Sequence, residues 1–131
     1  MRHIPHLTVI LNEKGTIVDF SSSIDSIGYT PEEVIGKNWF DIFINPKDKE
    51  KIRHVFTEII NGNDKNFATY KNDIACKNGQ HIFIDFYNKL ITKKGRKFTF
   101  SIGIEHLHAQ PTILQNFGEY LYQLTDFDQY L

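Results

Sequence analysis

Cysteine is almost missing from this sequence: Cys76 is the only one in 131 residues. A single thiol excludes an internal disulfide and fits a reduced, cytoplasmic setting. Long apolar runs are missing too. The longest span a few residues, far short of a membrane helix or a signal peptide, so no membrane partner is expected. Nor is there an excess of either charge, with 15 Lys and Arg against 16 Asp and Glu. That balance argues against a nucleic-acid backbone as partner. The chain also has no Gly-x-Ser-x-Gly elbow, no Gly-x-x-x-x-Gly-Lys phosphate loop and no carboxylate pair set in an apolar pocket. It is therefore read as not an enzyme. There is no internal repeat and no low-complexity run.

Aromatic residues are plentiful. They make up 14% of the chain, and 11 of them are Phe. In a near-neutral chain of one-domain length this suggests a core with ring-lined space in it. The densest stretch is Gly28 to Phe43. Gly28 closes one short helix in the left-handed conformation, and Thr30 caps the next, with Pro31 in its first turn and Glu33 completing a capping box. Gly36 stops that helix, and Trp39, Phe40 and Phe43 follow within five residues. Helices this short cannot bury such rings alone and need a concave surface to lie across.

Residues 1–6 read as an arm. Leu7 to Leu11 and Thr16 to Phe20 alternate as strands around the turn Asn12-Glu13-Lys14-Gly15, and Ser21 to Ser23 offer a cap for a short helix carrying Ile24 and Ile27. From Pro46 to Ile60 the residues Ile52, Val55, Phe56, Ile59 and Ile60 follow helical spacing, with Lys47, Lys51, His54 and Glu58 on the opposite face. Three further strands, Phe67 to Lys77, Gln80 to Thr92 and Arg96 to Leu107, are separated by Asn78-Gly79 and Lys94-Gly95. The order predicts an α+β fold, an antiparallel sheet with short helices and one long helix on one face. After Pro111 a C-terminal amphipathic helix is expected. Ile113, Phe117, Tyr120, Leu124, Phe127 and Leu131 form a heptad seam, widened by Leu114 and Leu121, that either packs on the chain's own sheet or serves as a dimer or connector element.

These residues resemble a known family. Asn12-Glu13-Lys14-Gly15-Thr16-Ile17, Gly28-Tyr29-Thr30-Pro31-Glu32-Glu33-Val34-Ile35-Gly36-Lys37-Asn38-Trp39-Phe40, Pro46-Lys47-Asp48 and Lys77-Asn78-Gly79 are similar to the PAS domain, a sensory module of bacterial signalling proteins. Two positions depart from its pattern: Ser21 stands where Asn is frequent, and Glu105-His106-Leu107-His108 replaces the Asp-Ile-Thr that couples the last strand to an output helix. The resemblance implies a five-stranded antiparallel sheet of order 2-1-5-4-3 enclosing a pocket. It implies a PAS domain over 7–108 and a connector over 109–131.

The pocket of such domains takes haem, flavin, another small molecule or only side chains, and the residues must decide. Covalent flavin photochemistry needs a thiol where Trp39 stands, and Phe40 replaces a phosphate-binding Arg, so it is disfavoured. Haem is disfavoured because His54 lies two residues beyond the ligand position, occupied by Ile52, which turns it away by about 200°. Asp73 and Asp85 are assigned to a solvated strand face. His3, His6, His106 and His108 would approach one another if the first and last strands pair, which makes them weak candidates for a metal site.

The expected pocket residues are Trp39, Phe40, Phe43, Phe56, Tyr70, Phe86, Phe100 and Ile102, with Asn38 as a polar anchor. The function expected is that of a sensor in signal transduction, as in two-component systems. A small ligand would be bound and its state relayed through sheet and terminal-helix packing to a homodimer partner or an output domain. The alternative is a ligand-free interaction or dimerisation module, and a small-cavity enzyme ranks below both.

Overall fold

The computed structural model describes residues 4–106. Strand β1 (His6–Asn12) ends where Asn12 folds the chain back: its Oδ1 accepts from the backbone N–H of Lys14 (2.9 Å) and of Thr16 (3.0 Å). Gly15 completes the turn at φ +81°, and a Cβ there would stand 2.6 Å from Phe40 Cε2. Both the backbone angle and the ring exclude any other residue. Strand β2 (Ile17–Ser22) then pairs antiparallel with β1, with a register shift between Ile10 and Leu11.

The serine cluster does not cap the following helix as expected. Ser22 Oγ instead accepts from Ile24 N–H (3.0 Å), Ser23 binds back to His6, and the 3₁₀ turn Asp25–Ile27 starts at Ile24 without a side-chain cap. Serine hydroxyls compete for local backbone groups, and here a turn next to β1 takes them. Helices α1 (Pro31–Val34) and α2 (Trp39–Ile42) follow. The Glu33 carboxylate accepts from Thr30 N–H (2.8 Å) and Thr30 Oγ1 (3.2 Å), and Asn38 Oδ1 accepts from Phe40 N–H (3.0 Å). Each end of this segment is stitched to the frame. Trp39 N–H donates to the Gly15 carbonyl (3.0 Å), Ile17 N–H to Lys37 (2.8 Å), and Ala75 N–H to Phe43 (2.8 Å).

The long helix is shorter than its periodicity predicted. Pro46–Asp48 forms a 3₁₀ turn, capped by Asn45 Oδ1 on Lys47 N–H (3.1 Å), and α3 runs Lys49–Ile60. The strand expected from Phe67 starts later as well, because Asp64–Phe67 is a 3₁₀ turn. Strands β3 (Thr69–Ala75), β4 (His81–Lys93) and β5 (Arg96–Glu105) form an antiparallel meander, and β1 pairs with β5. The sheet order is β2-β1-β5-β4-β3, the order implied by the resemblance.

The core lies on both faces of this sheet. On the helix side Leu7, Val9, Phe20, Trp39, Phe40, Phe43, Ile52, Ile84 and Phe86 form one buried cluster. On the outer side Ile10, Tyr87, Phe98, Phe100, Ile102 and Ile104 form a second, with Ile4, Val18 and Ile91 against it. Ile113, Phe117, Tyr120, Leu124 and Phe127 lie outside the described residues, as do His3 and His108. No helix among the described residues is long and apolar enough to cross a membrane.

Candidate functional site

Between the helix side of the sheet and α2 and α3 lies a partly open cavity of about 50 Å³. Trp39 and Phe40 come from α2, and Ile52, Val55, Phe56 and Ile59 from one face of α3. The sheet supplies Val9 and Leu11 from β1, Tyr70 and Asn72 from β3, Phe86 and Asn88 from β4, and Thr99 and Ser101 from β5. The register explains why these meet: Ser101 pairs with Val9 on one side and with Asn88 on the other, and Tyr70 pairs with Phe86. Residues directly opposite on adjacent strands share a face.

The rings are held by one another. Trp39 packs on Phe43 at 4.4 Å between centroids and meets Phe86 edge-on at 5.9 Å. Phe40 meets Phe56 edge-on at 5.4 Å, and the Arg53 guanidinium lies over the Phe40 ring, 4.6 Å from its centre. The polar groups form a short relay: Ser101 Oγ donates to Asn88 Oδ1 at 2.6 Å, and Asn88 Nδ2 donates to the Phe67 carbonyl at 3.0 Å. Among the described residues no buried side-chain nitrogen or oxygen lacks a hydrogen bond. Among the described residues the lining holds no Asp, Glu, Lys, Arg or His.

Five of the residues expected at the pocket line this cavity: Trp39, Phe40, Phe56, Tyr70 and Phe86. The other four do not. Asn38 is a helix cap whose Nδ2 donates to the Lys14 carbonyl (3.1 Å), and Phe43 is fully buried between Trp39, Phe20 and Tyr29. Phe100 and Ile102 belong to the outer cluster. On β5 the residues Thr99, Ser101 and Gly103 face the helices, and the larger apolar ones face outward. At Gly103 there is no room for a side chain. A Cβ on Gly103 would stand 2.8 Å from Ile84 Cγ2 and 2.9 Å from Phe86 Cε1. Not expected at the cavity were Val9, Leu11, Ile52, Val55 and Ile59 and the polar Asn72, Asn88, Thr99 and Ser101, and for the strand residues the signal was parity along the strand.

His54 is exposed on α3, whereas Ile52 is buried and lines the cavity. On the outer face His106 Nδ1 lies 2.7 Å from Asp85 Oδ2, and His81 Nδ1 lies 3.0 Å from Asp73 Oδ2. His6 Nδ1 lies 2.9 Å from the Ile4 carbonyl. No group of three or more His, Cys, Asp or Glu among the described residues could hold a metal. Away from the cavity, a hydrogen bond from Lys77 Nζ, with those from Thr30, holds the exposed Glu33 carboxyl down at about 2. Burial pushes the Cys76 thiol and the Tyr87 phenol up.

Residues 5–109 match the PAS domain family. A comparison with curated proteins finds no match. Among solved structures, the chain is similar to the PAS domain of the RpfR quorum-sensing receptor of Cronobacter turicensis in complex with BDSF. Identity is 27% and the TM-score 0.58, covering 77% of this chain and 93% of that one. The same domain in complex with C12:0 gives 27% identity and a TM-score of 0.59, again over 77% and 93%. A PAS domain from Desulfitobacterium hafniense shares the fold at 18% identity, with a TM-score of 0.65 over 78% of this chain and 93% of that one. With the sheet order, the helix placement and the family match in agreement, the chain belongs to the PAS domain family.

Proposed function

We propose that this PAS domain is a sensor that binds a small molecule in the cavity under α3 and relays its presence through β5. The observation that carries this reading is the double burial of β5. Thr99 and Ser101 line the cavity on one side, while Phe98, Phe100, Ile102 and Ile104 are fully buried on the other. The outward set is fully buried, so a shift of the strand toward or away from a ligand is felt on the outer face. The segment 109–131, with its heptad seam, follows that strand and is the natural receiver, as a dimer element or as the connector to an output domain of a two-component or related signalling protein. The PAS domain of RpfR, seen with BDSF and with C12:0, supports small-molecule binding as the use of such a pocket. A cytoplasmic location and a sensory rather than enzymatic role belong to the same proposal.

Size favours a second reading. A cavity of about 50 Å³ holds about four waters at roughly 10–15 Å³ each, so a core sealed for protein interaction is the alternative. Native mass spectrometry of the purified chain separates the two. The sensor reading expects a retained small molecule, or one taken up from a metabolite library with a change in Trp39 emission, and expects Val55→Phe, which puts a ring into the cavity, to abolish uptake. A chain that stays ligand-free and a Val55→Phe variant with unchanged behaviour would favour the interaction module.

A further inference from the structure

Among the described residues the cavity offers hydrogen-bonding groups and no charge. Its polar side chains are Asn72, Asn88, Thr99 and Ser101, all neutral, and the rest of its lining is apolar or aromatic. An ionised group brought into such a site loses its hydration and finds no counter-charge, whereas a neutral donor or acceptor is matched. The Ser101–Asn88 pair offers that match. Ser101 Oγ spends its proton on Asn88 Oδ1 and Asn88 Nδ2 spends one on the Phe67 carbonyl. The hydroxyl oxygen keeps acceptor capacity and the amide keeps a second N–H, so the pair presents one acceptor and one donor side by side. Arg53 is exposed, and its guanidinium lies over the ring of Phe40, outside the lining.

We infer that the ligand of this pocket is an electrically neutral amphiphile of a few heavy atoms, whose one hydrogen-bonding head sits on the Ser101–Asn88 pair. The inference rests on the sensor reading above and adds to it the chemistry of the ligand. An amide, an alcohol or a protonated carboxylic acid fits, and its apolar remainder lies among Phe56, Phe86 and Val55. A carboxylic acid would bind in its protonated form, taking up one proton from solvent.

The test uses four probes with one tail: propanamide, propanol, propanoic acid and propylamine, titrated into the ¹⁵N-labelled full chain. The readouts are the Ser101 backbone amide and the Asn88 side-chain amide. Propanamide and propanol should bind at least about tenfold more tightly than propanoate or propylammonium near neutral pH. The apparent Kd of propanoic acid should rise about tenfold per pH unit above the acid's own pKa, while that of propanamide, which reports any pH response of the protein itself, stays level. Asn88→Asp should reverse the order in favour of propylamine. Should that variant unfold, Ser101→Ala still decides, by weakening propanamide about fivefold. Propanoate binding as tightly as propanamide at neutral pH, and losing its affinity in Arg53→Gln, would move the head to the rim and overturn the inference while leaving the pocket intact. If none of the probes perturbs the cavity amides, the inference and the sensor reading fall together.

Discussion

Phe56 and Phe100 are both apolar rings in the sequence pattern, but the structure gives them opposite surroundings, and truncating each measures the difference. Phe100 is 0% exposed and sits in the outer cluster beside Ile10, its partner across the β1–β5 ladder. Phe100→Ala loses the transfer energy of a buried ring and leaves a closed void. A void of roughly 60–80 Å³ at about 24 cal/mol per Å³ adds about 1.5–2 kcal/mol, for a total near the upper end of about 3–5 kcal/mol. Phe56 is only partly buried and borders a cavity that is already open. Phe56→Ala loses ring burial and the edge-on contact with Phe40, worth about 0.5–1.5 kcal/mol, but the vacated space joins a pocket that water can enter. Its cost should therefore be lower by about the void term, about 1.5–2 kcal/mol. Urea unfolding of both variants, fitted with a common slope, reads this directly as a larger drop in midpoint for Phe100→Ala. Equal costs, or a larger one at Phe56, would mean that the space under α3 is closed core and that the pocket reasoning is wrong.

Gly103→Ala should cost about 1–3 kcal/mol, because the new methyl group meets Ile84 and Phe86, both buried, at under 3 Å; a change within the error of a urea titration would refute the close approach. Lys77→Met should raise the Glu33 carboxyl from about 2 toward its ordinary 4.5, read by carbon NMR titration. Since the folded value is the lower one, the stability linked to Glu33 is present above about pH 4.5 and lost as pH falls toward 2, and the two proteins should converge in acid. Cys76, buried and with its thiol pushed up, should react with a disulfide reagent at mildly alkaline pH only when urea unfolds the chain. Prompt reaction of the folded protein would contradict its burial.

How far the sequence revealed this architecture depended on whether a signal was local. Gly15, Gly28 and Gly95 mark turns, and all three adopt positive φ. Pro31 and Glu33 define the start of α1 by the same local logic. Where a tertiary partner decides, the reading drifted. The serines after β2 were taken up by Ile24 and His6. Phe67 has strand propensity, but its carbonyl is held by Asn88, 21 residues away, and the chain there makes a 3₁₀ turn.

The site was legible only by halves, and β5 shows why. A strand with one buried face announces its orientation through alternation, because the apolar set must be the inward one. Strand β5 is central and buried on both faces, so alternation of size rather than polarity carries the information. Phe98, Phe100, Ile102 and Ile104 are the larger set and look like pocket walls, but a pocket is space, and space beside a sheet is left by the smaller set. Thr99 and Ser101 leave that room, whereas at Gly103 the side chains of Ile84, Phe86 and Leu7 close over the strand. Positions 99 and 101 from the sheet and 55 and 59 from α3 line the cavity, so a substitution there changes its space, whereas the outer set of β5 does not reach it.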